Sequence, residues 1–225
     1  MRRIAASADR LTGQAAFKTL AMARELEKKG VDVLHFEIGE PDGPSSPHVI
    51  EAAKRALDDE FTHYIASPGI PELREAVCDE VEATRGFRPD MDQVLITPGA
   101  NPIIYFAASV LMESDDEVIL PDPGFMSYHS VFNYLGVVKR GVRLREENKF
   151  RMRPEDVRGV VSPRTKLIVM NSPQNPTGSV MTGAEVEEMA DIAEESGAFL
   201  LSDEIYGKLT YDVKHHTPTV RDGCK

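Results

Sequence analysis

The feature that most constrains this chain is an alternation beginning near residue 93. Short apolar runs at 93–97 (QVLIT), 117–120 (EVIL), 137–144 (VVKRGVRL), 166–171 (KLIVMN) and 198–203 (AFLLSD) each end in a polar, Gly-rich or Pro-rich loop. Helical patterns stand between them at 102–112, 127–134, 154–160 and 184–196. Continuous apolar runs suit strands buried on both faces, and their alternation with helices predicts βαβ units. The expected fold class is therefore α/β: a mixed, mostly parallel sheet flanked by helices.

Upstream of the alternation, 14–29 carries Ala, Leu and Met at helical spacing and Gly30 stands as a stop signal. The run 31–38 (VDVLHFEI) reads as a short strand, broken by Gly39, Pro41, Gly43 and Pro44. Two further helices are predicted over 47–57 and 71–84, the second with Pro71 at its first position. At 225 residues the chain can bury roughly 70% of its unfolded surface, enough for a core without disulfides.

A net charge of −11 argues against nucleic-acid partners, whose affinity rests on Lys and Arg neutralising phosphates. Cys78 and Cys224 show no metal-ligand spacing and are read as inert thiols in a reducing compartment, with no metal site. Residues 2–10 lack the apolar stretch of a signal peptide, and no apolar run reaches membrane-spanning length. A soluble cytoplasmic protein is expected.

In an open α/β sheet, ligands bind at the carboxyl ends of the strands. After 93–97 come Gly99, Ala100, Asn101 and Pro102, where Asn101 suits an N-cap and the backbone N–H groups face a helix start, a place for an anion. After 117–120, the turn Pro121–Gly124 would hold Phe125 and Tyr128 over the crevice. After 166–171, two prolines and a glycine fix the amide of Asn175. Asp203 closes 198–203, where an ionised carboxylate needs a cation or several donors, and Tyr206 follows. Each of these alone also reads as local structure: a capped turn, a rim aromatic, an N-cap Asp. His215 and His216 are read as surface residues, and Glu113, Asp115, Asp116 and Glu117 as a solvated loop.

One ligand would use all four ends. Pyridoxal 5′-phosphate has a phosphate for Gly99 to Asn101, a flat ring for Phe125, a ring oxygen for Asn175 and Tyr206, and a pyridine nitrogen whose proton a carboxylate at Asp203 would retain.

The ordered set of motifs resembles fold-type I pyridoxal-phosphate-dependent aminotransferases of class I/II. It runs from 36–42 (FEIGEPD) through 62–64 (THY), 69–74 (GIPELR), 97–101 (TPGAN) and 121–128 (PDPGFMSY) to 171–178 (NSPQNPTG) and 202–206 (SDEIY). The resemblance implies that Gly99, Ala100, Asn101, Phe125, Asn175, Asp203 and Tyr206 hold the cofactor, as set out above. It further implies that Tyr64 reaches the phosphate of a neighbouring subunit in a homodimer. Gly39 would offer its backbone to the substrate carboxylate, and Asn175 would also bind the substrate. The implied reaction moves an amino group between an amino acid and a 2-oxo acid, and the implied fold is the large-domain sheet of that family.

The same resemblance calls for a Schiff-base lysine in a Ser-x-x-Lys segment some tens of residues after Asp203. Lys208, Lys214 and Lys225 are the lysines that follow, none in that context. The chain is therefore expected to be the N-terminal portion of such an enzyme, with a sheet incomplete at the C-terminus, poorly active alone and prone to aggregate. Residues 1–45 would form the N-terminal arm and a small-domain segment, and 46–225 a partial large domain. A non-catalytic cofactor-binding remnant and a lyase of the same fold are the alternatives.

Overall fold

The computed structural model describes residues 3–11, 13, 15–41 and 43–218. Asp42, Cys224 and Lys225 lie outside the described residues. By contacts the chain divides into two units, one of Met1–Gly13, Glu80–Pro89 and Thr97–Lys225, the other of Gln14–Asp79 and Asp90–Ile96. The boundary expected near residue 45 falls within the second of these.

The first unit holds a four-stranded sheet: β1 (Glu117–Asp122), β2 (Val138–Arg143), β3 (Thr165–Asn171) and β4 (Phe199–Asp203). Their order is β2-β1-β3-β4 and every pairing is parallel. Four predicted runs thus become strands. The fifth, 93–97, follows a 3₁₀ turn at Met91–Gln93 in irregular backbone. The run 31–38 also lacks strand structure, and Leu34 and Phe36 are exposed. Extended backbone becomes a strand only when a paired neighbour takes its N–H and C=O groups in succession, and among the described residues neither run pairs with a strand; Ile96 N–H instead donates singly to the Pro68 carbonyl at 2.9 Å.

Alternate side chains of β1 and β3 point to opposite faces, which explains their unbroken apolar sequence. Val118, Leu120, Leu167 and Val169 pack with Ile104, Ala108, Tyr128 and Phe132, from α4 (Asn101–Leu111) and α5 (Met126–Leu135). Ile119, Ile168 and Met170 pack with Val157, Val186, Met189 and Ile192, from α6 (Pro154–Arg158) and α7 (Gly183–Ser196). Helix α7 begins with a reciprocal Thr182–Glu185 capping box and ends at Gly197 with φ +68°.

The chain leaves β1 for the edge at β2, crosses back to β3 and continues to β4, so the connections diverge between β1 and β3. That divergence opens a crevice beyond the strand ends.

The second unit contains α1 (Ala15–Glu27), α2 (Pro47–Asp58) and most of α3 (Pro71–Arg85), close to the predicted spans. Gly69, at φ +111°, leads into α3 with its α-carbon against Ile96.

Two expectations from the sequence are corrected. Glu117 is not solvated: it is fully buried at the start of β1, where Arg140, Arg164 and the Ser162 hydroxyl each reach its carboxylate at 2.7 Å. The Arg140 hydrogen bond first, then Ser162, holds its pKa at about 2 against an ordinary 4.5, and the Arg164 charge adds to this. His215 is not a surface residue either: its ring is only 16% exposed and bonds Glu204 at 3.2 Å. His216 is half-buried against Gly183.

Candidate active site at the strand ends

A cavity of about 210 Å³ opens at the divergence and is lined by Ala100, Asn101, Ile104, Phe125, Tyr128, Asn171, Asn175, Asp203, Ile205 and Tyr206. Seven of the residues singled out in the sequence therefore meet here: Ala100, Asn101, Phe125, Tyr128, Asn175, Asp203 and Tyr206. Gly99 adjoins the lining, whereas Gly39 and Tyr64 belong to the second unit, where Tyr64 is fully exposed. A larger cavity, lined by Lys149, Thr182, Lys214 and their neighbours, touches none of these residues.

Asp203 stands at the end of β4 with its carboxylate half-buried. Its Oδ2 accepts a 2.5 Å hydrogen bond from the Tyr128 hydroxyl and its Oδ1 accepts the Ile205 N–H at 3.2 Å. Among the described residues no basic side chain pairs with it, so the carboxylate keeps acceptor capacity for a cationic group. Burial first, and the Asp203 charge second, push the Tyr128 hydroxyl far above the usual tyrosine range. Tyr128 is thus a permanent donor. It also meets Phe125 edge to face, with ring centroids 5.7 Å apart.

Asn175 is placed by the end of β3. Asn171 donates its side-chain amide to the Pro173 and Asp203 carbonyls, both at 3.1 Å, and accepts the Asn175 N–H at 2.9 Å. The Asn175 amide then donates to the Tyr206 hydroxyl at 3.2 Å. Buried Gln174 ties this loop to the one after β1 by donating to the Pro123 carbonyl at 2.8 Å. Asn171 and Gln174 were not picked out as site residues, and Tyr128, expected over the crevice, was given no ligand or partner there. The signal available for them was position: each lies within four residues of one that was.

The start of α4 differs by one residue from expectation. Ala100 is the N-cap, without a side-chain hydrogen bond, and Asn101 is already helical. Ala100 adopts helical backbone angles itself (φ −79°, ψ −26°), which moves the boundary forward. Gly99 donates its N–H to the Thr97 carbonyl at 2.8 Å, so that group is not free. Ala100 and Asn101 retain theirs without an acceptor among the described residues, and Gly99, at φ +84°, has open space where a side chain would stand. An uncapped helix start, an aromatic face, an amide–phenol pair and a carboxylate free of counter-cations fit the phosphate, ring, ring oxygen and pyridine nitrogen of pyridoxal phosphate.

Residues 31–223 match the family model for aminotransferase class I and II. The chain is 40% identical over 197 residues to an aspartate aminotransferase of Pyrococcus horikoshii, covering 88% of this chain and 50% of that protein. It is 39% identical over 187 residues to a probable aspartate aminotransferase of Methanocaldococcus jannaschii, covering 83% of this chain and 49% of that protein. The solved aspartate aminotransferase of Thermus thermophilus with maleate superposes with a TM-score of 0.93 at 36% identity, over 97% of this chain and 57% of that one. An alanine aminotransferase from Pyrococcus furiosus gives 0.91 at 30% identity, over 96% and 56%. The chain spans about half the length of the curated relatives it matches. On sequence and fold together, it belongs to the class I and II aminotransferase family.

Proposed function

We propose that these residues form the cofactor-binding half of a pyridoxal-phosphate-dependent aminotransferase, acting on an amino acid and a 2-oxo acid. The observation that carries this is the convergence of Asp203, Asn175, Tyr206, Phe125 and the uncapped start of α4 on one cavity. Bound there, the cofactor supplies an electron sink for the pair left when an amino acid loses its α-proton. Asp203 keeps the ring nitrogen protonated, and Tyr128 fixes the carboxylate that does so. Asn175 and Tyr206 orient the ring oxygen, Phe125 covers a ring face and excludes water, and Ala100 and Asn101 receive the phosphate. Gly39 offers its backbone to the substrate carboxylate, Asn175 also binds the substrate, and Tyr64 serves the neighbouring subunit of a cytoplasmic homodimer. Residues 1–45 act as arm and small-domain segment, and 46–225 as a partial large domain. No helix among the described residues is long and apolar enough to cross a membrane.

A cofactor-holding role without catalysis by these residues themselves is the second reading, and the lysines favour it. Lys208 is 81% exposed and pairs with Glu80 at 2.6 Å, and Lys214 lines the other cavity. Neither reaches the site, so the proton-transferring base is not supplied by a described lysine after Asp203.

Pyridoxamine 5′-phosphate, an amine that needs no lysine bond, is the direct probe. Fluorescence titration should show one-to-one binding. Asp203→Asn, which removes a charge-assisted hydrogen bond of roughly 1.5–3 kcal/mol, should weaken it about ten- to hundredfold. Equal binding by both proteins, or none by the unmodified chain, would overturn the proposal.

A further inference from the structure

Beyond β4, Asp203 and Tyr206 face the cavity from the two ends of one turn, and little apolar packing holds that turn. Ile205 is 60% exposed and Leu209 is 55% exposed. Its internal bonds are local: Ile205 N–H to Asp203 Oδ1, Gly207 N–H to the Glu204 carbonyl at 2.8 Å, and Leu209 N–H to the Tyr206 carbonyl at 2.8 Å. Bonds within a turn shape it but do not attach it to the rest of the molecule.

Tyr128 and Asn171 hold the turn at Asp203, Asn175 meets it at Tyr206 and Glu80 at Lys208, and the densest attachment is the Glu204 side chain, only 10% exposed and not part of the cavity lining. Oε1 accepts the Ser202 hydroxyl at 2.8 Å and the Thr217 hydroxyl at 2.7 Å. Oε2 accepts Arg85 Nη2 at 2.6 Å and bonds the His215 Nε2 at 3.2 Å. Arg85 is the last residue of α3, and its segment groups with the sheet unit. The His215 ring also lies against the turn itself, its Cδ2 3.0 Å from where a side chain on Gly207 would begin. One carboxylate thus gathers four partners from β4, the end of α3 and the segment 215–217, and an ionised carboxylate has the acceptor sites to serve them all. A neutral amide does not: its NH₂ end would face donors.

We infer that Glu204 is a positioning residue, which sets the placement of Asp203 and Tyr206 toward the cofactor by anchoring the 203–207 turn to Arg85, His215 and Thr217. The inference rests on the function proposed above. It assigns the second carboxylate of the Asp203–Glu204 pair a task distinct from the first: Asp203 meets the ligand, and Glu204 holds the segment on which Asp203 and Tyr206 ride. Partners of this outer kind alter the affinity of metal sites by about ten- to hundredfold, and a similar loss of order tenfold is expected here.

The test has two readouts. Titration with pyridoxamine 5′-phosphate compares the unmodified chain with Glu204→Gln and with Arg85→Gln, which removes a partner from outside the turn. Both should bind about tenfold more weakly. In a Tyr206→Phe background Glu204→Gln should cost less than in the unmodified chain, because only the placement of Asp203 then remains to be lost; a merely structural effect would add fully. Hydrogen exchange of the free proteins should show the amides of 205–209 exchanging at least about tenfold faster in Glu204→Gln, with β1 and β3 unchanged. Unchanged affinity, full additivity with Tyr206→Phe, or unchanged exchange at 205–209 overturns the inference. Should the unmodified chain fail to bind the probe, the proposed function falls, and exchange alone decides whether Glu204 anchors the turn.

Discussion

Replacing Tyr128 with Phe isolates one hydrogen bond. The side chain is 1% exposed, its ring packs against Phe125, and only its hydroxyl is deleted, from a position 2.5 Å from Asp203 Oδ2. A hydrogen bond to a charged acceptor contributes roughly 1.5–3 kcal/mol. Asp203 keeps the Ile205 N–H and borders an open cavity where water can replace the lost donor, so the lower end, about 1.5 kcal/mol, applies. With a urea dependence of about 2–3 kcal/mol/M, the unfolding midpoint followed by circular dichroism should fall by about 0.5–0.8 M. In an Asp203→Asn background the same substitution should cost less than about 0.5 kcal/mol. A shift below about 0.2 M, or equal shifts in both backgrounds, would refute the bond as the source. The hydroxyl also has a pH signature. Its pKa is raised above the unfolded value of 10, so the stability it contributes is full below pH 10 and is lost as pH rises beyond it. Ultraviolet titration should show one tyrosine ionising only as the chain unfolds, and Tyr128→Phe should abolish that fraction.

Three further outcomes follow from features away from the cavity. Glu117 has its pKa lowered to about 2, so the stability it lends is present above about 4.5 and lost as pH falls toward 2; Glu117→Gln should flatten the acid limb of urea midpoints between about pH 6 and pH 2.5, and parallel limbs would contradict the Arg140–Glu117–Arg164 arrangement. Gly69→Ala places a methyl group 2.6 Å from Ile96 Cγ1 at a φ of +111°, and should lower stability by about 2 kcal/mol or more, read as a melting-temperature loss of at least about 4 °C. Thr182→Ala removes the cap that accepts the Glu185 N–H and should cost about 1 kcal/mol with faster exchange in the first turn of α7, largely restored by Thr182→Ser.

The strands of the sheet were legible because β1 and β3 are apolar on both faces and end in proline or glycine, a pattern set by burial between two helix layers. The failures share a cause. The runs 31–38 and 93–97 carry the same local signal, yet a strand is a pairing, and a partner is not written in a run's own residues. Glu117 stands in an acidic stretch, and only Arg140 and Arg164, both more than twenty residues away, turn it into a buried ion cluster. His215 likewise gains its environment from Glu204, ahead of it on another segment. At the site, Asp203 and Asn175 were visible from their position at or just after a strand end and Tyr128 from the turn that precedes it, whereas the tasks of Tyr128 and Asn171 lie in their bonds to Asp203 and Asn175, which appear only at bonding distance. The helix start at Ala100 rather than Asn101 reflects the backbone conformation, which the capping preference of Asn does not determine.

The lining of the cavity also has a mechanical consequence. Ala100 and Asp203 are separated by about a hundred residues of chain, and Asp203 rides on β4, a strand with a neighbour on one side only among the described residues. A ligand gripped by both is a reversible crosslink across that length, closing a long loop whose free fluctuation would otherwise favour fraying at the sheet margin. Occupancy and cohesion of the margin are then one equilibrium, in which each increases the other.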